Sequence, residues 1–180
     1  MNYKGKKTLI VGSGCGRCGT LSLATLLDAQ PDSTITHESG IPLPWEKSYI
    51  HFKLYVERIY NTYPGFFVGD IAFYTLNYTE YFFKMFPNVK FVCLKRNKED
   101  VVKSFIKMVN LHNTSNVNII NGEHWNALWR TKSQGITFWR HCLPKYDLPL
   151  KEAWEKYYDD YYNIATDLEI KYSNFKIWDI

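Results

Sequence analysis

The chain is short of arginine. Five arginines stand against seventeen lysines among 180 residues, so an arginine inside a motif weighs more than an average basic residue. The chain also lacks any run of about 18 apolar residues, a leader-like N-terminal segment and low-complexity tracts. Nothing marks it for secretion or membrane insertion, so the expected compartment is cytoplasmic, with no membrane partner. Cysteine is scarce, and Cys15, Cys18, Cys93 and Cys142 do not form two metal-ligand pairs. Cys93 sits in an apolar strand pattern and reads as a small core residue. Free thiols in a reducing environment and no metal are expected. The basic excess is small, +4 with a pI near 8.7, which suits anionic ligands and gives no reason to expect nucleic acid.

Glycine, by contrast, is concentrated where it matters. Residues 8–29 run from an apolar strand through Gly12, Gly14, Gly16 and Gly19 into an amphipathic helix. Successive N–H groups in such a turn point inward and the helix N-terminus adds partial positive charge, so main chain can hold an anion there. Arg17 supplies formal charge, and Thr20 and Ser22 supply hydroxyls. The candidate cradle comprises Gly14, Cys15, Gly16, Arg17, Cys18, Gly19, Thr20, Leu21 and Ser22.

Known signatures overlap in this turn. A nucleoside-triphosphatase loop needs a lysine after its last glycine, and Thr20 stands there instead, which excludes that class. Gly14-x-Gly16-x-x-Gly19 matches the dinucleotide fingerprint, with Glu38 about 20 residues on as a ribose ligand, so an NAD- or FAD-binding oxidoreductase is one alternative and a non-catalytic nucleotide-binding module is another. An arginine inside the fingerprint argues against it. Cys15-Gly16-Arg17-Cys18 is also a CxxC at a strand-to-helix turn, but redox chemistry has no need of the surrounding glycines.

A second element lies far along the chain. Lys90 to Leu94 reads as a buried strand ending in Lys95-Arg96, followed by a helix with Asn97 as N-cap and Asp100 three residues on in a capping-box-like start. A guanidinium can bind a phosphate bidentately, and Ser104, two helical turns along, can point to the same place.

Gly16-Arg17-Cys18-Gly19-Thr20, its leucine-rich helix and Asp28-Ala29-Gln30-Pro31 resemble the 5′-phosphosulfate loop of sulfotransferases. The resemblance is to the tyrosylprotein and carbohydrate type, with Cys18 where Ser or Thr is usual and Leu21 where a second Thr is usual. It implies 3′-phosphoadenosine 5′-phosphosulfate (PAPS) as donor, with Arg96 and Ser104 on its 3′-phosphate. It also implies a closing strand, Phe175 to Ile180, inside a parallel sheet. Glu38-x-x-Ile-Pro resembles the segment carrying the catalytic glutamate of the tyrosylprotein type, which makes Glu38 the general base and His37 the alternative. Arg17 is assigned to the charge developing on the leaving 5′-phosphate oxygen.

The remaining pattern predicts one α/β domain over residues 1–180, a P-loop-like parallel sheet flanked by helices. Strands are expected near 8–12, 33–37, 66–69 and 90–94, and helices near 20–29, 46–62, 77–86, 98–109 and 150–172. Asp70, closing the third strand, is expected to orient the acceptor or Arg17, or to cap a helix. Residues 110–149 read as an insertion or acceptor-binding region, with Trp125, Trp129 and Arg130 either walling a site or covering core. Tyr157, Tyr158, Tyr161 and Tyr162 are read as structural, with hydroxyls at the sheet rim. The acceptor is expected to be a small molecule, a carbohydrate or a peptidyl group.

Overall fold

The computed structural model describes residues 7–113 and 140–180. Five strands, β1 (Thr8–Ser13), β2 (Ser33–His37), β3 (Phe67–Ile71), β4 (Lys90–Lys95) and β5 (Phe175–Asp179), pair in parallel in the order β2-β3-β1-β4-β5. Central strands of such a sheet are buried on both faces, which is why β1 and β4 read as apolar runs rather than alternating ones. The closing strand lies beside β4 as expected, with Phe91 opposite Phe175 and Lys95 opposite Asp179.

Helix α1 (Thr20–Asp28) packs on one face with a small cluster of Leu23, Ala24, Ile35, Ile71, Val92 and Leu94. The helices α2 (Tyr49–Thr62), α3 (Thr79–Met85), α4 (Lys98–Asn113) and α5 (Leu150–Lys171) contribute to the large core on the other face. This asymmetry follows from right-handed crossovers. Only the β1-to-β2 connection runs leftward across the sheet, whereas every later one runs rightward. The chain therefore leaves β1 toward one face and β4 toward the other, opening a crevice above the carboxyl ends of these neighbouring strands. In an open parallel sheet that crevice is where ligands bind.

Element bounds differ locally from the periodicity. The third strand runs to Ile71 because Asp70, although charged, is fully buried and hydrogen-bonded. The segment before α3 is a 3-10 turn, Phe73–Tyr78, held by the Thr75 hydroxyl near the Gly12 and Ala72 carbonyls at 2.9 and 2.8 Å. Asn97 caps α4 through Oδ1, which accepts the Glu99 and Asp100 N–H groups, while the Asp100 carboxylate turns to Arg96 at 3.6 Å rather than closing a capping box. No helix among the described residues is long and apolar enough to cross a membrane.

Candidate active site

The loop between β1 and α1 is built on backbone that only certain residues accept. Gly16 and Gly19 have φ of 90° and 80°, and Arg17 itself adopts the left-handed region at 58°. A side chain at Gly16 would also meet the Phe105 ring at 2.9 Å. Phe105 is stacked on Trp154 with centroids 3.8 Å apart, so α4 and α5 form a rigid floor beneath the loop.

The tyrosines of α5 are structural, but their hydroxyls are not at the rim. They lie under the cradle. Tyr161 is fully buried, accepts the Gly14 N–H at 3.0 Å and donates to the Phe73 carbonyl at 2.8 Å. Tyr162 donates to the Leu94 carbonyl at 2.8 Å and Tyr158 to the Arg96 carbonyl at 2.7 Å. One helix face thus fixes the loop after β1 and the end of β4 together. The i, i+3, i+4 spacing of these residues was the available signal, but spacing does not say where a hydroxyl points. Tyr161→Phe removes the hydroxyl that accepts the buried Gly14 N–H and donates to the Phe73 carbonyl. It is expected to cost about 1–3 kcal/mol of stability by urea denaturation, with donor affinity falling in parallel.

Above this floor the two sequence-distant elements meet. Arg17 donates from Nε to the Ser104 hydroxyl at 2.9 Å, and Arg96 donates from Nη1 to the Arg17 carbonyl at 3.3 Å. They border a cavity of about 490 Å³, within the range of small-molecule sites. Its lining includes Cys15, Gly16, Arg17, Gly19, Thr20 and Leu21 from the cradle, His37 and Glu38 after β2, and Arg96 and Ser104. Phe73, Met108, Val109 and Leu143 add an apolar wall that periodicity did not mark as a site. Gly14, Cys18 and Ser22 do not line the cavity. The Gly14 N–H is already taken by Tyr161, and the Cys18 side chain is buried against α1. Ser22 is exposed on the first turn of α1.

Beyond the cradle, His37 and Glu38 face the cavity differently. His37 Nε2 lies 3.0 Å from the Thr20 hydroxyl, tying β2 to the start of α1, and burial lowers its pKa, so the ring is neutral near pH 7. Glu38 has φ of 52°, a left-handed conformation unusual for a side chain of its size, and its carboxylate is 3.8 Å from His37. Burial, then the negative charge of Asp70, push its carboxyl up to about 7, and Arg17 opposes them. Asp70 is neither a helix cap nor a partner of Arg17 in its hydrogen bonding. It accepts hydrogen bonds from Thr36, Ser39, Tyr55 and Tyr74 inside the core.

Cys15 and Cys18 are buried free thiols; burial, then the neighbouring Cys18, pushes the Cys15 pKa up, while Cys15 beside it draws the Cys18 pKa down. Among the described residues no three His, Cys, Asp or Glu side chains form a metal-binding group. Trp125, Trp129, Arg130 and the rest of 114–139 lie outside the described residues.

No protein-family model matches the chain, and no curated protein matches it in sequence. Among solved structures, a sulfotransferase from Alicyclobacillus acidocaldarius is similar at 15% identity and a TM-score of 0.46, over 97% of this chain and 73% of that one. The chemistry of the site follows from this chain's own residues.

Proposed function

We propose that the protein is a sulfotransferase, moving a sulfuryl group in line from PAPS to a hydroxyl or amine acceptor. The observation that carries this reading is the meeting of Arg17 with Ser104 at 2.9 Å across one cavity, joined by Arg96. A nucleotide with phosphates at both ends of its ribose needs two cationic sites within one molecule's reach. The cradle and the N-terminus of α1 suit the 5′ end. Arg96 and the Ser104 hydroxyl, which accepts from Arg17 and keeps its own proton to donate, suit the 3′-phosphate.

Transfer then requires a base, a charge sink and alignment. The acceptor proton passes to the Glu38 carboxylate as the new oxygen–sulfur bond forms, or nitrogen–sulfur for an amine. The bond from sulfur to the 5′-phosphate oxygen breaks, and the charge left on that oxygen meets Arg17 and the free N–H groups of α1. Such a transition state is loose, so electrostatics and positioning supply the rate. His37, neutral and tied to Thr20, is better placed to hold the cradle than to take the proton. Small-molecule, carbohydrate and peptidyl acceptors all suit this chemistry, and the Glu38 segment resembles the tyrosylprotein type.

The dinucleotide reading is disfavoured by topology. In that fold the strand bearing the ribose-binding acid lies next to the first strand, whereas here β3 separates β2 from β1. The direct test is incubation with ³⁵S-labelled PAPS and a panel of phenols, sugars, alcohols, amines and tyrosyl peptides, alongside calorimetry with NAD. Label transfer to at least one acceptor is expected. Binding of NAD with no label transfer would overturn the proposal.

A further inference from the structure

Asp70, one residue before the end of β3, is wholly buried, and the transfer step above gives it no task. A carboxylate in a core costs several kcal/mol unless its oxygens are hydrogen-bonded. Here four donors converge on it. Oδ1 accepts the Thr36 hydroxyl at 2.7 Å and the Ser39 N–H at 3.3 Å, and Oδ2 accepts the Tyr55 and Tyr74 hydroxyls at 3.1 and 3.4 Å. Thr36 and Ser39 are the residues on either side of His37-Glu38. The carboxylate therefore clamps both ends of the turn in which Glu38 takes its left-handed conformation, a backbone state of order 1–3 kcal/mol above the common ones that persists only where surroundings impose it.

We propose that Asp70 is a positioning residue for the transfer reaction, holding the Thr36–Ser39 turn so that Glu38 projects into the cavity. This rests on the reading of Glu38 as the acceptor's base. Several charged or titratable groups face Glu38: Asp70 from β3, Arg17 from the cradle, His37 beside it, Tyr74 from the 3-10 turn and Cys142 from the turn at Arg140–Cys142. Burial does most to keep the Glu38 proton affinity high, Asp70 is the anion among these groups that adds to it, and Arg17 acts the other way. An apolar residue at position 70 would fill the space without either effect.

The test uses Asp70→Asn, which keeps an oxygen for Thr36 and Ser39 and removes the charge, and Thr36→Val, which keeps shape and removes one arm of the clamp. Three quantities are read: the Glu38 carboxyl titration by ¹³C NMR, the pH profile of kcat, and affinity for adenosine 3′,5′-bisphosphate. For Asp70→Asn the Glu38 titration and the acidic limb of kcat are expected to move down together by about one pH unit. Thr36→Val should lower kcat about tenfold. Bisphosphate affinity should stay within about twofold in both. A Glu38 titration unmoved in Asp70→Asn, or an unchanged kcat in Thr36→Val, overturns the proposal. Should Asp70→Asn fail to fold, Thr36→Val decides alone, by kcat at unchanged bisphosphate affinity. A titration that shifts in a protein with no transferase activity toward any acceptor refutes the sulfotransferase reading, and with it the positioning role of Asp70 in transfer, while leaving the Asp70–Glu38 coupling in place.

Discussion

Replacing Glu38 by glutamine is expected to lower kcat about 10²–10⁴-fold while leaving affinity for adenosine 3′,5′-bisphosphate within about twofold. Glutamine keeps the volume and the polar contacts but cannot take the acceptor proton. The cradle, Arg96 and Ser104 are untouched, so binding should not notice the change. In the wild type the acting form is the carboxylate, so kcat/KM, which reports the free enzyme, should rise through pH 7 and level off above it. At pH 6 it should be about a tenth of the plateau.

The same residue should act on stability with the opposite sign. Its folded pKa of about 7 lies above the ordinary value near 4.5, so the native state binds this proton more tightly than the unfolded chain. Stability from this group is present below about 4.5 and is lost as pH rises to about 7, by at most about 3 kcal/mol for a side chain that is about one-quarter exposed. Glu38→Gln should therefore be more stable than wild type at pH 8 and similar at pH 4.5. Thermal unfolding at the two pH values measures this directly. A gain in stability with a loss of turnover is what a desolvated base implies, whereas a desolvated glutamate with no part in the reaction would show the gain without the loss.

Replacing Arg17 by alanine is expected to lower kcat about 10²–10³-fold and also to weaken donor binding. Arg17 is the cation of the cradle, and its charge counts most where negative charge grows on the leaving oxygen. Lysine at this position should recover only part of the loss, because an ammonium cannot present the planar fork that serves Ser104 and a phosphate together. A second consequence separates this variant from a folding defect. Arg17 draws the Glu38 carboxyl down, so its removal should shift the acidic limb of the kcat profile to higher pH.

Much of this site was legible because its parts are local. The turn from Gly14 to Gly19 declares itself through positive-φ positions next to a strand and a helix, and Arg96 and Ser104 are separated by about two helical turns. The alternation of strands and helices implied the parallel sheet, and only that sheet places the loops after β1 and β4 side by side. What was not legible is long-range. Asp70 takes its partners from residues 36, 39, 55 and 74, and no local pattern around Phe67–Ile71 distinguishes a fourfold hydrogen-bonded carboxylate from a cap. The α5 tyrosines announced a buried face through their period, but the reach of Tyr161 to Gly14 across 147 positions is a property of the packed core. The Phe73–Tyr78 turn likewise depends on Thr75 reaching Gly12, a strand away.

The central claim is that one nucleotide is gripped at both ends, at the Arg17 turn and at Arg96 with Ser104. Calorimetry comparing adenosine 3′,5′-bisphosphate with adenosine 5′-monophosphate, on wild type and Arg96→Ala, tests it most directly. The wild type should prefer the bisphosphate by about 10–100-fold, as expected for hydrogen bonds to a charged group, and Arg96→Ala should bind the two nearly alike. Equal affinity for both nucleotides in the wild type, or a preference that survives the loss of Arg96, would contradict it.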